Sequence, residues 1–212
     1  MRKILAWYTG RQAAEIAYQY GPRGKPSLPL ALGDDVHFSL SRSENCFAVA
    51  VSRSCEVGVD IEVLRAIPEA DEVGPSLFSP RECADIANAP SGLRAAAFLY
   101  HWTRNEARVK AAGDGLPSLS NAAGQPHNAS AAQTSAADRS NHQAQTHWKF
   151  REFCSLPNCI GAVAVPTANC QFVQRDFSDA ATCVEFLSRT GADHSVPSGL
   201  KIERGNDRGE RI

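Results

Sequence analysis

The sequence predicts an α+β protein in which an antiparallel sheet packs against one long helix. Short apolar or alternating runs at residues 36–51, 57–62, 148–153 and 159–165 have the length and pattern of strands. Residues 93–112 are rich in Ala, Leu and Arg and have the length of a helix. Hydrophobic residues make up 43% of the 212 and charged residues 21%, so the chain can bury a core.

The first part of the chain is predicted to hold a helix and a hairpin. In residues 2–19, apolar side chains recur every three to four positions, which indicates a short amphipathic helix. Glycines and prolines at 21–26 then break regular structure. Residues 36–51 are predicted as strand, turn and strand, with the turn at 41–45. The second limb is a continuous apolar run, which is typical of a buried strand.

The middle of the chain carries the clearest local signals. Residues 57–62 alternate as a strand does. Ser79, Pro80 and Glu82 predict a helix start, because Ser79 can cap, Pro80 suits the first position and Glu82 completes a capping box. The helix predicted over 93–112 should end at Gly113, since glycine commonly terminates helices.

Residues 117–147 differ in composition from the rest of the chain. Ala, Ser, Asn and Gln supply 20 of these 31 residues and no aromatic occurs, so we expect a low-complexity insert forming a mobile loop. After the strands 148–153 and 159–165, we expect a further strand at 171–177 and a short helix at 179–189. Residues 191–212 hold little apolar content and are expected to be a disordered tail.

Charge, hydropathy and cysteine content exclude several classes of protein. Twenty-two basic against 23 acidic residues leave a net charge of -1, which argues against a nucleic-acid partner held by bulk electrostatics but allows a local basic pocket for a phosphorylated ligand. No run approaches the roughly 18–20 apolar residues of a membrane helix, so no membrane partner is expected. Seven scattered cysteines without a C-x-x-C pair predict reduced thiols and a cytoplasmic protein.

Two acids on the strand 57–62 are the first candidate site. Asp60 and Glu62 lie on one face because side chains alternate, while Val59 and Ile61 point into a core. Hard carboxylate oxygens suit magnesium, which takes one or two carboxylates plus water and phosphate oxygens. The alternative is a half-buried strand whose acidic face is merely solvated.

The long helix offers a third acid. Trp102, Glu106 and Lys110 are spaced four apart and share one stripe of the helix. A Glu and a Lys one turn apart can be only a surface pair, and Trp102 is best explained by core packing. If Glu106 faces the two strand acids, a three-carboxylate metal site results and Lys110 lies near a bound phosphate.

Four ordered blocks resemble the 4'-phosphopantetheinyl transferases of the larger, surfactin-synthetase-activating type. The family pattern G-[VI]-D-[IV]-E matches GVDIE at 58–62, and its W-[ST]-x-K-E-[AS]-x-x-K-x-x-G-x-G-L matches WTRNEARVKAAGDGL at 102–116. Upstream, YGPRGKP at 20–26 resembles Y-G-K-P, and HFSLSRS at 37–43 resembles H-F-N-[IL]-S-H-S. The resemblance covers roughly residues 20–120.

This resemblance implies a reaction and its residues. Coenzyme A would give its phosphopantetheine arm to a serine of an acyl or peptidyl carrier protein, in fatty-acid or secondary-metabolite synthesis, with release of 3',5'-ADP. Asp60, Glu62 and Glu106 match the family's magnesium ligands, and Glu106 or Glu62 would take the serine proton. Lys110 would hold pyrophosphate oxygens. Lys25 and Ser41 match coenzyme A contacts, and Arg42 stands where the family has a phosphate-binding histidine.

The chain also departs from the family pattern. Asn105 replaces the lysine before the motif glutamate, which removes a positive charge near the pyrophosphate, and on a helix Arg104 points elsewhere. The resemblance implies a pseudo-dimeric fold of two α/β halves whose first half is incomplete here. We expect 1–54 to be its remnant and 55–190 the second half with the metal site. A separate chain could supply the missing part.

Other readings stay open at this point. A non-catalytic relative would keep the fold and bind carrier protein or coenzyme A without turnover. An unrelated metal-dependent phosphatase or nuclease could use the same acids, but it leaves the glycine turn after residue 112 and Lys25 unexplained. His37 fits a structural strand end. His127, His142 and His147 are too irregularly spaced to predict a metal tract.

Overall fold

The computed structural model describes residues 1–29, 35–113, 147–154, 158–166 and 170–189. The expected loop at 117–147 lies outside the described residues except for His147, and the expected tail at 191–212 lies outside them entirely. The chain divides into two compact units, one formed by residues 1–16 with 169–212 and the other by residues 17–168. Within the described ranges, no helix combines the length and the apolar character needed to cross a membrane.

Helices and strands alternate irregularly along the chain. In order they are α1 Arg2–Thr9, β1 Gln19–Tyr20, β2 Pro26–Ser27, β3 His37–Ser43, β4 Cys46–Ser52, β5 Gly58–Val63, α2 Ala70–Leu77, α3 Pro80–Asn88, a 3-10 turn Ser91–Leu93, α4 Arg94–Ala112, β6 Lys149–Phe153, β7 Cys159–Val165 and α5 Ala180–Arg189.

The smaller unit contains α1 and α5, which contact one another. The helix predicted over 2–19 is wrong in length, because α1 ends at Thr9, where Gly10 takes a left-handed φ of 68°. The helix predicted at 179–189 is confirmed as α5. The strand predicted at 171–177 is wrong: these residues carry no regular structure, and no strand pairs with them among the described residues.

The larger unit is built on a three-stranded antiparallel sheet in the order β5-β7-β6. Helix α4 packs against β5 and β7 of this sheet. The α+β class and the antiparallel sheet packed by a long helix are confirmed, as are the strands predicted at 57–62, 148–153 and 159–165. In the register, Asp60 lies opposite Ala162 and Glu62 opposite Ile160.

Strands β3 and β4 form a separate antiparallel hairpin. Its turn is only Glu44 and Asn45, because residues 41–43 extend β3, so the turn predicted at 41–45 is too long. In this tight turn Glu44 adopts a positive φ of 50°, which is uncommon for a residue other than glycine. Strand β3 therefore continues as far as Ser43.

Serine side chains join the hairpin to the sheet. The hydroxyls of Ser39 and Ser43 accept hydrogen bonds from the backbone N–H groups of Val59 and Val63, both at 3.1 Å. Both contacts join residues 20 apart in sequence, so β3 runs alongside β5 in the same direction. The serines of β3 thus replace a backbone ladder at this edge.

Small residues bring α4 unusually close to the sheet. Ala107 and Ala111 on the helix pack in one core cluster with Ala162 and Ala164 of β7. A Cβ atom added to Gly58 would lie 1.9 Å from the carbonyl oxygen of Ala107, so only glycine fits where β5 passes under the helix. This close approach places the helix residues next to Ala107 within reach of β5.

A second core cluster fixes the other end of α4. Phe98 and Leu99 of α4 are buried there with Phe78 and Ile86, and Trp102 packs against the cluster, so its interpretation as a packing residue is confirmed. The rings of Phe78 and Phe98 meet edge to face with centroids 5.0 Å apart. Helix α3 begins with the predicted capping box between Ser79 and Glu82.

Candidate functional site

Asp60 lies at the centre of the site, on β5 between the hairpin and α4. Its carboxylate is 4% exposed, which overturns the alternative of a solvated acidic face. Oδ1 accepts hydrogen bonds from Ser41 Oγ at 2.7 Å and Lys110 Nζ at 2.6 Å. Oδ2 is buried without any hydrogen-bond partner. Burial raises the pKa of Asp60, and this outweighs the attraction of Lys110.

Glu62 projects two residues further along β5 and is partly exposed. Its Oε2 accepts a hydrogen bond from Ser43 Oγ at 2.7 Å. The same oxygen pairs with Arg65 Nη1, also at 2.7 Å. Glu62 is therefore held by one fixed hydroxyl from the hairpin and by one half-exposed cation that follows the strand.

Glu106 is contributed to the site by α4. Its side chain is buried, and burial together with the charges of Asp60 and Glu62 raises its pKa to about 7, although Lys110 opposes the shift. Asp60, Glu62 and Glu106 therefore lie close enough for their charges to act on one another. Two cations, Lys110 and Arg65, are paired with acids of this cluster.

Lys110 lies one turn beyond Glu106 and points into the cluster. Its ammonium group binds Asp60 and also donates to Ser41 Oγ at 3.1 Å. The alternative of a simple surface pair between Glu106 and Lys110 is wrong, because Glu106 is buried and Lys110 binds Ser41 of β3 and Asp60 of β5 instead.

Lys25 lies where α4 ends. Its ammonium group pairs with Glu56 Oε2 at 2.5 Å and donates to the carbonyl oxygen of Ala111 at 3.0 Å. His37 Nδ1 approaches the other oxygen of Glu56 at 3.0 Å. Burial would raise the pKa of Glu56, but the bonds with Lys25 and His37 lower it overall. Lys25 therefore caps the last carbonyl groups of the helix that carries Glu106 and Lys110.

Arg42 does not join the acids. It alternates with Ser41 along β3 and so projects from the opposite, exposed face of the hairpin. There it donates to the carbonyl oxygen of Glu44 at 3.0 Å and lies 5.3 Å from the ring centre of Phe47. Ser41 faces inward and Arg42 outward, so these two of the predicted coenzyme A contacts lie on different faces of the hairpin.

The helix residues beside Glu106 face other partners. Asn105 donates to Glu82 Oε1 of α3 at 3.4 Å, so position 105 is directed to α3. Arg104 pairs with Glu152 and lies 4.1 Å over the ring of Phe150. The prediction that Arg104 points elsewhere is confirmed.

The oxygen donors suit a hard cation such as magnesium, but the side chains are not arranged as a finished metal site. Among the residues that the structure describes, no three His, Cys, Asp or Glu side chains converge closely enough to hold an ion. Lys110 and Arg65 occupy carboxylate oxygens of Asp60 and Glu62. Burial is the first cause of the raised pKa of Glu106, and a cation bound here would oppose that shift and give Oδ2 of Asp60 a partner.

The part of the chain that holds these residues matches a known family. A family model described as the 4'-phosphopantetheinyl transferase superfamily matches residues 56–164. The chain belongs to this superfamily. The transferase prediction made from the motifs is thereby confirmed at the level of the family.

Individual relatives agree with this transferase assignment. The chain is 31% identical over 168 residues to the 4'-phosphopantetheinyl transferase HetI of Nostoc sp., covering 78% of this chain and 67% of that protein. It is 34% identical over 114 residues to the 4'-phosphopantetheinyl transferase AcpT of Salmonella typhi, covering 51% and 58%. Against the 4'-phosphopantetheinyl transferase gsp of Aneurinibacillus migulanus the identity is 27% over 117 residues, covering 55% and 46%. The matches thus span about half to two thirds of these relatives.

Three residues that contact the predicted site residues were not predicted from the sequence. Ser43 binds Glu62, Arg65 pairs with Glu62, and Glu56 pairs with Lys25. A signal existed for Ser43, because Ser39, Ser41 and Ser43 alternate and so share one face of β3. Arg65 lies only three residues after Glu62, a short spacing that could have suggested the pair. Nothing in the local pattern marks Glu56, because its partner Lys25 is distant in sequence.

Proposed function

We propose that the chain transfers the 4'-phosphopantetheine arm of coenzyme A to a serine of an apo acyl or peptidyl carrier protein. The reaction depends on magnesium, releases 3',5'-ADP and takes place in the cytoplasm. The observation that carries the proposal is the meeting of Asp60, Glu62, Glu106 and Lys110 between β5 and α4. All four belong to the region that matches the family model.

The acids have different roles in the transfer. Glu106, or Glu62 beside it, takes the proton of the carrier serine as its oxygen attacks the phosphorus next to the pantetheine. The pKa of about 7 supports Glu106, since a general base works best when its pKa lies near the working pH. Glu62 has a hydroxyl partner in Ser43 that keeps its orientation while the proton moves.

The cations balance the charge of the breaking phosphoanhydride. Lys110 leaves Asp60 and holds pyrophosphate oxygens of coenzyme A as a point charge. Magnesium held by Asp60, Glu62 and Glu106 would supply further neutralisation of the pyrophosphate. Asp60 is suited to this role because its Oδ2 is buried and has no hydrogen-bond partner. Arg65 on Glu62 is half-exposed and can move away as the site fills.

Ser41, Lys25 and Arg42 are the residues proposed to bind coenzyme A. Ser41 lies beside Lys110 and can donate to the same phosphate group. Lys25 reaches the end of α4 but is already paired with Glu56, so binding there requires that pair to open. Arg42 offers its charge from the outer face of the hairpin. The surfactin-type arrangement of two α/β halves, residues 1–54 and 55–190, belongs to this proposal as well.

Asp60→Asn tests the assignment of the acids. The change keeps the size of the side chain but removes the charge that faces Lys110, so we expect transfer to fall at least a hundredfold. The measurement is intact-mass spectrometry of an apo carrier protein after incubation with coenzyme A, magnesium and the variant. The matched control is Asp71→Asn, whose side chain is 76% exposed and ion-paired with Arg94, and it should transfer at the parent rate. Equal rates for parent and Asp60→Asn would place the reaction elsewhere.

A further inference from the structure

Two cysteines from distant parts of the chain lie side by side in the larger unit. Cys46 begins β4 and Cys159 begins β7, 113 residues later. Their sulfur atoms are 2.8 Å apart, and both are free thiols. None of the transfer steps uses them.

Their place in the fold gives the pair a structural consequence. Cys46 lies opposite Ser43 in the hairpin, and Cys159 lies opposite Val63 in the sheet. Ser43 and Val63 are themselves joined by a hydrogen bond, and Ser43 also binds Glu62. A covalent link between the two sulfurs would therefore fasten the β3-β4 hairpin to β5 and β7 directly beside Glu62.

The two thiols differ in access. Cys159 is buried, and burial together with the neighbouring Cys46 raises its pKa to about 12, so it attacks a disulfide only after it has given up its proton. Cys46 is half-buried at the end of the hairpin turn, which makes it the thiol that meets a reagent from solvent first.

We propose that Cys46 and Cys159 form a reversible disulfide that fastens the hairpin to the sheet beside Glu62. The oxidant is a small-molecule disulfide. Cys46 attacks one of its sulfurs, forms a mixed disulfide and releases one small thiol. Cys159 then attacks the Cys46 sulfur, loses its proton to solvent and releases the second small thiol, so the two electrons end on the oxidant.

The test uses the full chain and oxidised glutathione. After incubation, free thiols are blocked with an alkylating reagent and a tryptic digest is analysed by tandem mass spectrometry. We expect the peptide 43–53 linked to the peptide 152–175, with fragmentation placing the link on Cys159 rather than on Cys154 or Cys170. Peptide 43–53 remaining alkylated on Cys46, or a link to Cys154 or Cys170, would overturn the proposal.

Thermal unfolding gives a second readout. The oxidised chain should melt several degrees above the reduced chain, because the link closes a loop of more than a hundred residues. The difference should vanish in Cys159→Ser and persist in the matched control Cys83→Ser, which removes a half-buried thiol from α3. If Cys159→Ser does not fold, Cys46→Ser serves in its place and the parent digest stands on its own. Equal melting temperatures of oxidised and reduced parent would contradict the proposal.

Discussion

At the scale of single residues, the site is a cluster of acids with too few cations. Asp60 uses one oxygen for two hydrogen bonds and leaves the other without a partner. Glu106 is pushed toward its neutral form by burial and by its two acidic neighbours. Burial and like charges therefore oppose ionisation of Glu106, and the effect on stability can be measured.

The pH dependence of stability should reveal Glu106. Its pKa is about 7 in the fold and near 4.5 in the unfolded chain, so the folded state binds more protons between these values. This contribution to stability is fully present below about pH 4.5 and is lost as pH rises through 7. Without metal, the free energy of unfolding of the parent relative to Glu106→Gln should fall by on the order of 3 kcal/mol from pH 4.5 to 8.

Urea unfolding in the presence of a chelator, repeated across this pH range, measures that difference. The matched control is Glu72→Gln, an exposed glutamate of α2, whose stability should follow the parent in parallel at every pH. Curves for the parent and Glu106→Gln that also run parallel would show that Glu106 is ionised normally and that the cluster is not short of charge.

The substitution Asn105→Lys tests the role of position 105 separately. The side chain there is directed to Glu82, so a lysine in Asn105→Lys should pair with Glu82 on the surface of α3. We expect turnover to stay within about twofold of the parent and the free energy of unfolding to rise by less than about 1 kcal/mol. Steady-state transfer assays and urea unfolding check the two parts. A rise in turnover of tenfold or more would mean that the lysine reaches the pyrophosphate instead.

Site residues could be predicted from the sequence only where their spacing matches the repeat of a strand or a helix. Asp60 and Glu62 share a strand face and Glu106 and Lys110 share a helix stripe, so spacing predicts that each pair acts together. The pair of Glu56 with Lys25 joins positions 31 residues apart and depends on how the fold brings them together, which no sequence spacing encodes. Asn105 was expected to weaken the phosphate site, and its hydrogen bond to Glu82 shows a different local role.

At the scale of elements, the distance between β5 and α4 decides whether the acids can meet. Alanines at 107 and 111 and glycine at 58 leave no bulk between the helix and the strand. Lys25 fastens the end of the helix by donating to Ala111. The serines of β3 hold the other side of β5 and bind the two strand acids. The acids are thus fixed between two elements that each approach β5 closely.

Gly58→Ala should separate these elements. The added Cβ would overlap the backbone of Ala107 and Ala111, which cannot move as a flexible side chain does. We expect a loss of about 2–3 kcal/mol in the free energy of unfolding and a fall in transfer at temperatures where the chain is still folded. The matched control is Gly92→Ala, where an added Cβ meets nothing within 4 Å and stability should change by less than about 0.5 kcal/mol. Equal stability of the two variants would refute the close packing.

The helices and strands that were predicted correctly are those whose local sequence pattern agrees with their packing in the fold. The capping box of α3 and the long helix α4 were predicted because caps and composition point the same way. Helix α1 was predicted too long because the apolar spacing continues past Gly10, while the left-handed turn there ends the helix. The strand expected at 171–177 has β-forming residues but no partner strand among the described residues, and an unpaired strand is not stable.

At the scale of the whole molecule, the site belongs to one compact unit. Residues 17–168 contain the sheet, the hairpin and α4, and therefore every residue proposed for the reaction. The α+β class was predictable because strand and helix signals are separated along the chain. The side-by-side contact of β3 with β5 was not, since it runs through serine hydroxyls and leaves no apolar pattern.

The central claim is that this chain itself carries out phosphopantetheinyl transfer. The most direct measurement is the intact mass of an apo carrier protein incubated with coenzyme A, magnesium and the full chain. The account predicts that the carrier gains one phosphopantetheine arm on a single serine, that 3',5'-ADP appears in equal amount and that a chelator stops both. An unchanged carrier mass and no 3',5'-ADP, with a known transferase modifying the same carrier in parallel, would contradict it.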